Sequence, residues 1–207
     1  MFRGLFSKLS TSTFALALVL LCLVRNAQAG QPLRWNSPVN DIHGQPVTID
    51  TFIDRVTVVS FSTQKSKESD MRLGQEIGER FGQQRVYQSL AIPNTADVPL
   101  WAKFLAVMKV VGAEKDAVKE AILRQKATGN GKITEEEVRR KIIFIHDKDG
   151  SVWERMGLDV NSTRSFIGVI DRTGTLIHLE RMPINKQAFF ALLEREFRKQ
   201  AAPQWPQ

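Results

Sequence analysis

The spacing of apolar residues along the chain predicts alternating strands and helices arranged around one central unit. Residues 56–61 form a short run rich in β-branched and aromatic side chains, which is typical of a buried strand. Residues 62–66 break this run, and Met71, Ile77 and Phe81 then recur at the spacing of one helical face. We therefore expect a buried strand, a tight loop and a helix, with the rest of the chain built around them.

Two further elements are predicted to flank this unit. On its N-terminal side, an Asp-x-x-Gly turn that begins at Asp41, followed by the alternating residues Val47 and Ile49, predicts a hairpin. On its C-terminal side, residues 85–92 predict a second strand. Since strand–helix–strand connections cross over with a right hand, we expect the two strands to be parallel neighbours in one sheet.

The next segment, Val98 to Gln125, is predicted to be helical with a break near Gly112. Large apolar residues share one face of this helix: Trp101, Phe104, Leu105, Met108 and Val111. A stripe of aromatic and methionine side chains at helical spacing usually packs into a core. We therefore expect this face to be buried and not to form a cofactor site.

The C-terminal part of the chain predicts one more strand, a hairpin and a final helix. The strand covers residues 142–145, a short helical or irregular piece covers 152–156, the hairpin strands cover 166–170 and 176–179, and the helix covers 185–199. The hairpin encloses the turn Asp171-Arg172-Thr173-Gly174, whose aspartate and glycine are typical turn residues.

Residues 1–29 have the pattern of a secretory signal peptide. Arg3 and Lys8 precede an apolar run at 14–24, and Ala27-Gln28-Ala29 forms an A-x-A cleavage signature. The apolar run is too short to span a bilayer. We expect cleavage after Ala29, a periplasmic or secreted protein, and no stable membrane anchor after signal cleavage.

The cysteine content excludes thiol chemistry from the mature protein. Cys22 is the single cysteine and lies inside the signal peptide, so cleavage leaves a chain without cysteine. A lipoprotein signal would place a small residue just before this cysteine, whereas Leu21 is large. The domain division we predict is therefore a signal peptide at 1–29, an N-terminal arm at 30–40, one folded domain at 41–200 and a flexible tail at 201–207.

The charge balance gives no sign of a nucleic-acid partner. The full chain has 29 basic and 22 acidic residues. Three basic residues (Arg3, Lys8, Arg25) and no acidic one lie in residues 1–29, so 26 basic against 22 acidic side chains leave a mature net charge of +4. Basic residues are interspersed with acidic ones and lack the interleaved aromatics of a stacking surface.

The central segment VVSFSTQKSKES resembles the opening unit of the thioredoxin-like superfamily, in which an apolar strand leads into a C-x-x-C motif at a helix start. The resemblance places Ser66 and Ser69 at the two cysteine positions. In the redox enzymes the helix dipole stabilises a thiolate there, whereas a serine hydroxyl stays neutral and forms no disulfide. The resemblance implies a thioredoxin-like three-layer α/β fold with a central mixed sheet flanked by helices, and no thiol activity. The helical region before the third core strand is longer than a minimal thioredoxin fold needs, so we expect it to be an enlargement particular to this chain.

The segment GLDVNSTRSFIGVIDRTGTLIHL resembles the second half of that superfamily, in which a cis-proline precedes a strand that ends in an I-D-x-x-G turn. Ser165 stands near the proline position, so both halves of the redox site are altered. The hairpin around Asp41 resembles that of the redoxin branch. A narrower likeness, to the YtfJ-type periplasmic proteins, rests on STQKSKES, Trp153, Leu158-Asp159 and VIDRTG.

Two interpretations of the altered site remain open. In the first, Ser66, Lys67, Glu68 and Ser69 simply start a helix, with Ser66 as its cap and acidic residues at the positive end of its dipole. In the second, Lys65, Arg164 and Ser165 join these residues in a polar groove that binds a peptide or an anion. Peroxiredoxins place an arginine near the position of Arg164, which would face Glu68 across the site.

We expect no catalytic residue, metal ligand set or cofactor. Serine hydrolysis would need a histidine beside Ser66 or Ser69, but His43, His146 and His178 lie on separate predicted elements. One histidine per element also gives no metal-ligand spacing. An enzyme of the redoxin fold with non-thiol chemistry remains an alternative.

A cation-responsive loop at Gly129–Glu137 is the other alternative. Gly131, Ile133 and Glu137 match positions of an EF-hand loop, but Lys126 and Thr128 stand where oxygen ligands should be. We favour a turn into a helix capped by Thr134, with Glu137 completing a capping box. The function predicted overall is an exported binding or accessory protein without thiol redox activity, acting on a protein or peptide partner through the altered groove.

Overall fold

The computed structural model describes residues 31–32, 39–63, 65–127 and 134–199. Within these ranges no helix combines the length and the apolar character needed to cross a membrane. The predicted signal peptide, the predicted tail and most of the predicted arm lie outside the described residues. The division of the chain into these segments therefore stays a prediction.

Eight strands and five α-helices make up the described fold. The strands are β1 Gln31–Pro32, β2 Val39–Asn40, β3 Pro46–Val47, β4 Val56–Ser62, β5 Tyr87–Pro93, β6 Ile142–Phe144, β7 Phe166–Ile170 and β8 Thr175–Arg181. The helices are α1 Lys67–Phe81, α2 Lys103–Ala127, α3 Glu135–Lys141, α4 Ser151–Arg155 and α5 Lys186–Arg198. Single 3-10 turns cover Ile49–Thr51 and Leu100–Ala102.

One mixed, six-stranded sheet forms the centre of the molecule, with the strand order β1-β8-β7-β4-β5-β6. Strands β4, β5 and β6 are parallel, whereas β7 and β8 run antiparallel to their neighbours. Strands β2 and β3 pair as a separate hairpin. The parallel pairing of β4 with β5 through α1, the hairpin and the α/β class are all confirmed.

The sheet is buried on both faces because the side chains of its central strand alternate between two apolar clusters. Val56 and Val58 of β4 pack with residues of α1 and α5 on one face. Val59 and Phe61 pack on the other face with Phe52 and the short helix α4. This produces the three layers that the resemblance implied, with β4 leading from the core directly to the loop before α1.

The β7–β8 turn has a glycine that its geometry requires. Gly174 has a φ of +78°, and a Cβ at this position would lie 2.8 Å from the Cγ1 atom of Ile49. The Asp171 side chain accepts hydrogen bonds from the backbone N–H groups of Thr173 and Thr175. The aspartate and the glycine therefore fix the hairpin that carries β7 back along β4.

The predicted break near Gly112 is wrong, because α2 runs without interruption for 25 residues. A glycine inside a helix costs only about 1 kcal/mol relative to alanine. The neighbouring alanines and long-chain residues of α2 favour the helix, so one glycine does not end it.

The predicted buried face of α2 is also wrong. Trp101 is 81% exposed and Phe104 is 72% exposed, and Leu105 and Met108 are more than half exposed. The buried positions of the helix are instead Ala106, Val110, Glu114, Val118 and Gln125.

A half-buried ion pair joins α2 to α3 in this orientation. Glu114 is almost fully buried, and its Oε1 atom accepts a hydrogen bond of 2.6 Å from Nη1 of Arg139 on α3. His43 Nε2 lies 3.6 Å from the same oxygen. Removing Arg139 would leave the Glu114 carboxyl buried without this partner, so the contact links α2 to α3 with Glu114 facing inward.

The capping box predicted for α3 is confirmed. Glu137 Oε2 accepts a 2.8 Å hydrogen bond from the Thr134 N–H, and Thr134 Oγ1 accepts one of 3.2 Å from the Glu137 N–H. The hydrogen bonds to Thr134 lower the pKa of Glu137. Residues 128–133 of the candidate cation loop lie outside the described residues, and the described ones contain no cluster of three metal-ligating side chains.

Replacing Thr134 with alanine should lower the free energy of unfolding by about 1 kcal/mol, the usual cost of losing a helix cap. Urea denaturation of the variant beside the wild type measures this difference. We expect added calcium to leave the melting temperature of both proteins unchanged, because the Glu137 carboxylate is engaged in the cap. A rise in melting temperature with calcium that Glu137→Gln removes would favour the cation-responsive alternative.

Candidate functional site

The candidate site lies at the C-terminal end of the parallel strands, where β4 gives way to α1. Ser66 occupies the N-cap position of α1, and its carbonyl oxygen accepts a hydrogen bond of 3.0 Å from the Asp70 N–H. The Ser66 hydroxyl makes no capping hydrogen bond. The capping role predicted for this side chain is therefore wrong, and its hydroxyl is directed elsewhere.

Ser66, Ser165 and Asp70 form a hydrogen-bonded group that we call the serine–aspartate cluster. The Ser66 hydroxyl donates to Asp70 Oδ2 over 2.9 Å, and the Ser165 hydroxyl donates to the same oxygen over 2.5 Å. The two serine hydroxyls also contact each other directly. Ser165 is only 2% exposed and immediately precedes β7. Two segments about a hundred residues apart are thus joined where the resemblance placed the first cysteine and the cis-proline.

Thr63 extends this cluster. Its Oγ1 atom lies 3.0 Å from Ser66 Oγ and donates over 3.4 Å to the Thr163 carbonyl oxygen. The loop after β4 and the loop before β7 are therefore linked twice, once through the cluster and once through Thr63. These contacts hold the two sides of the site at a fixed separation.

Burial raises the pKa of the Asp70 carboxyl above its usual value, and hydrogen bonds from Ser165, Ser66 and Ser69 oppose the rise. Burial is the larger of these influences, so the folded protein favours the neutral acid more than water does.

We expect this carboxyl to make stability depend on pH. Because its pKa is raised in the folded protein, the folded state binds the proton more tightly than the unfolded chain does. Stability is therefore lost as the pH rises from the unfolded pKa, 3.8, through the folded pKa. Asp70→Asn keeps the hydrogen-bond acceptor without the charge, so the stability of this variant relative to wild type should increase over that pH range.

Chemical denaturation of both proteins at a series of pH values tests this expectation. Asp147 is a second carboxyl whose pKa is raised by burial, but it is present in both proteins and cancels in the difference. A difference between the two proteins that stays constant with pH would contradict a raised pKa at Asp70.

The other predicted site residues lie at the surface. Lys65, Glu68, Ser69 and Arg164 are exposed, and Lys67 is the first residue of α1. Ser69 donates to the Ser66 carbonyl oxygen over 2.8 Å. Among the ion pairs of the described residues, none joins Arg164 to Glu68. The Arg164 backbone is held by Ser162, whose hydroxyl accepts from its N–H and lies 3.0 Å from its carbonyl oxygen.

The histidines engage other groups. His146 Nε2 lies 2.7 Å from Thr95 Oγ1, and His178 Nε2 lies 3.3 Å from Glu180 Oε2. Burial lowers the pKa of His146, and Lys148 and Lys103 lower it further. Among the contacts of the described residues, none joins a histidine to Ser66 or Ser69. This arrangement does not provide the base that serine hydrolysis requires.

Trp153 packs in the core against residues next to both segments of the site. Its ring is fully buried and packs edge-on against Phe61 and Phe166, with ring centroids 5.9 Å apart in each pair. Its Nε1–H group donates to the Ile92 carbonyl oxygen over 3.2 Å. Phe61 lies near the end of β4 and Phe166 follows Ser165, so one indole fixes the strand ends that carry the cluster.

Asp70 is the site residue that sequence reasoning did not include in the groove. The sequence relates Asp70, like Glu68, only to the positive end of the helix dipole, although it stands four residues after Ser66. The same spacing places its carboxyl beside the Ser66 hydroxyl. Its contact with Ser165 depends on the tertiary fold and leaves no local signal in the sequence.

Comparison with known proteins gives structural matches only. No family model and no curated protein match the sequence. A Neisseria meningitidis protein assigned as a thioredoxin is 16% identical, with a TM-score of 0.50 over 79% of this chain and 88% of the other. A Bacteroides thetaiotaomicron protein assigned as a protein disulfide isomerase is 15% identical, with a TM-score of 0.50 over 83% and 90%.

A third solved structure has the same degree of similarity. A Chlorobium tepidum protein assigned as the thiol:disulfide interchange protein DsbE is 12% identical, with a TM-score of 0.50 over 82% of this chain and 97% of the other. Likeness at these identities establishes the fold. The one cysteine of this chain, Cys22, lies far from the site in sequence, and serines occupy the site. The chain therefore has the thioredoxin-like fold of the redoxin proteins and lacks their redox cysteine pair.

Proposed function

We propose that this is an exported binding protein that recognises an acidic segment of a partner protein at the groove beside the serine–aspartate cluster, without thiol redox chemistry. The observation that carries the proposal is the cluster itself. Where a thiol enzyme holds sulfur, three oxygen-bearing side chains are hydrogen-bonded to one another. The cluster contains no redox-active group, and its hydrogen bonds hold the base of the groove in a fixed arrangement.

Recognition in this groove depends on side chains and not on strand addition. The N–H and carbonyl groups of Arg164 are already engaged by the Ser162 hydroxyl, and the Ser165 carbonyl oxygen accepts from the Met182 N–H. These backbone groups before β7 already have hydrogen-bond partners, so they do not favour pairing with the backbone of a partner protein. Lys65 and Arg164 are exposed on the two sides of the cluster, and both are positively charged. They favour a partner segment that contains aspartate or glutamate.

Export is part of the proposal. It rests on the signal-peptide pattern of residues 1–29 and on the A-x-A motif before Gly30. The likeness of short sequence segments to YtfJ-type periplasmic proteins also supports the proposed export. A cysteine-free domain suits an oxidising compartment because it cannot be trapped in mixed disulfides.

Site-specific photocrosslinking in the producing cell tests the proposed partner site. A photoreactive residue at Lys65 should give a discrete adduct, whereas one at Thr173, in the exposed β7–β8 turn at the opposite end of β7, should not. Arg164→Glu should remove the adduct and Arg164→Lys should retain most of it, because charge and not hydrogen-bond geometry is the main requirement. Equal adducts from both positions, or an adduct insensitive to Arg164→Glu, would refute the proposed groove.

A further inference from the structure

A large cavity separates α1 from α2 on the face of the sheet that both helices cover. Its volume is about 750 Å³, and its floor is formed by Ser60, Tyr87, Ser89 and Ala91. Protein interiors are normally packed without voids larger than a water molecule. Binding sites for small molecules have volumes of about 300–1,000 Å³, so this cavity has the size of a ligand site.

The helices that border the cavity present small residues to it. Gly74 and Gly78 line it from α1, and Gly112, Ala113 and Ala117 line it from α2. A Cβ atom at Gly74 or at Gly112 would have no atom within 4 Å. A Cβ atom at Gly78 would instead lie 3.5 Å from the Arg124 guanidinium group of α2. The open space therefore lies around Gly74 and Gly112, and the Arg124 side chain closes it beside Gly78.

The shape of the cavity fits one extended hydrocarbon chain. The lining residues of α1 and its C-cap extend from Asp70 to Gly82, which is about 18 Å at the helical rise of about 1.5 Å per residue. A single lipid chain spans half of the hydrocarbon core of a bilayer, or about 15 Å. The space is thus long enough for one such chain together with a small head group.

The two ends of the cavity differ in charge. Asp70, Ser62 and Thr63 line the end nearest the serine–aspartate cluster. Arg124, Lys141 and Glu120 line the cavity away from this end, and Arg124 Nη2 lies 3.7 Å from Glu120 Oε2. The Lys141 ammonium group is only partly buried and donates over 3.3 Å to the Gln84 carbonyl oxygen. Burial and the nearby Arg55 lower the pKa of Lys141. An anionic group beside Lys141 would offset both effects.

The exposed apolar side chains of α2 lie beside this cavity. Leu105 and Met108 are each one helical turn before a residue that lines it, Lys109 and Gly112 respectively. Met71 of α1 is half exposed and lines the cavity as well. An apolar rim of this kind provides a path by which a hydrocarbon chain enters without crossing a polar surface.

We propose that this cavity binds a single-chain anionic amphiphile, with the hydrocarbon chain between Gly74 and Gly112 and the acid group at Arg124 and Lys141. The cavity adjoins the partner groove at Asp70, but the basic residues assigned to the two sites differ, and neither proposal requires the other. The acid group is the carboxylate of a free fatty acid or the phosphate of a lysophospholipid. Both present one negative charge or more at the end of one chain.

Calorimetric titration of the full chain with oleate, lysophosphatidylglycerol and the uncharged dodecyl maltoside tests this site, with each ligand kept below its micelle concentration. We expect saturable one-to-one binding of at least one anionic amphiphile, at least tenfold tighter than that of the maltoside. The stronger of the two anionic ligands identifies the source of the acid group. Failure of all three to bind saturably would overturn the proposal.

Matched variants locate the binding. Gly74→Leu and Gly112→Leu fill the open space and should each abolish binding, whereas Gly74→Ala adds a single methyl group and should retain it. Lys141→Gln should weaken oleate or lysophosphatidylglycerol at least tenfold without changing maltoside binding, and Lys119→Gln, on the exposed surface of α2, should change neither. Thermal unfolding shows whether each leucine variant is folded, and having two of them guards against one failing to fold.

Non-specific binding to the exposed apolar residues Phe104, Leu105 and Met108 would respond differently to substitution. Phe104→Ser would remove such binding but leaves the cavity intact, so it should leave the affinity for the anionic amphiphile within about twofold. Binding that survives both leucine variants, or that is lost with Phe104→Ser alone, would refute the cavity as the site. The effect of Arg164→Glu on the photocrosslinked adduct tests the partner groove and does not test the amphiphile cavity.

Discussion

Trp153→Ala is expected to lower the free energy of unfolding by about 3–5 kcal/mol, the usual cost of truncating a buried aromatic side chain. The indole is fully buried and makes edge-on contacts with Phe61 and Phe166. Removing it also leaves the Ile92 carbonyl oxygen without its 3.2 Å hydrogen bond in a dry environment, which adds to the cost. This is the largest effect on stability that we expect from a single substitution near the site.

Trp101→Ala is the matched control, since Trp101 is 81% exposed. The same substitution there should change the free energy of unfolding by no more than about 0.5 kcal/mol. Chemical denaturation followed by far-ultraviolet circular dichroism measures both variants without relying on tryptophan fluorescence. Equal losses in the two variants would mean that Trp101 is covered in solution and that the orientation of α2 is not as described.

Trp153 and Trp101 also illustrate how far sequence reasoning extends in this chain. The strands and most helices follow from local patterns, because alternation in β4 and the turn at Asp171 leave little choice of structure. The face of α2 does not follow in this way. Periodicity identifies which side chains share a face, but burial of that face depends on what packs against it, and here Glu114 faces inward to meet Arg139 of α3.

The sequence indicates that Ser66 and Ser165 stand at the candidate site, but it does not indicate that Asp70 joins them. A strand followed by a helix start locates Ser66, and the second segment locates Ser165, because both belong to patterns that are contiguous in sequence. Asp70 enters the site through a contact between residues 95 positions apart. The cavity between α1 and α2 was likewise not predicted, since small residues on two helices are equally consistent with close packing.

A double variant, Ser66→Cys with Ser69→Cys, should form a disulfide at the start of α1 and introduce reductase activity into a protein that otherwise has none. The wild type should not reduce insulin, because its single cysteine, Cys22, lies in the predicted signal peptide and serines stand at positions 66 and 69. The positive end of α1 favours a thiolate at position 66. However, Asp70 Oδ2 lies 2.9 Å from the present hydroxyl, so a negative charge there would raise the pKa of the new thiol and hold the activity low.

Adding Asp70→Asn to the double variant separates these two influences. Removing a neighbouring negative charge should lower the thiol pKa by about one unit, which raises the thiolate fraction at neutral pH by up to about tenfold. The insulin reduction rate should increase by a similar factor, and the ultraviolet absorbance of the thiolate gives the pKa directly. If Asp70→Asn leaves both the pKa and the rate unchanged, then Asp70 does not adjoin position 66. Turnover by the wild type would instead contradict the conclusion that this thioredoxin-like site has left thiol chemistry.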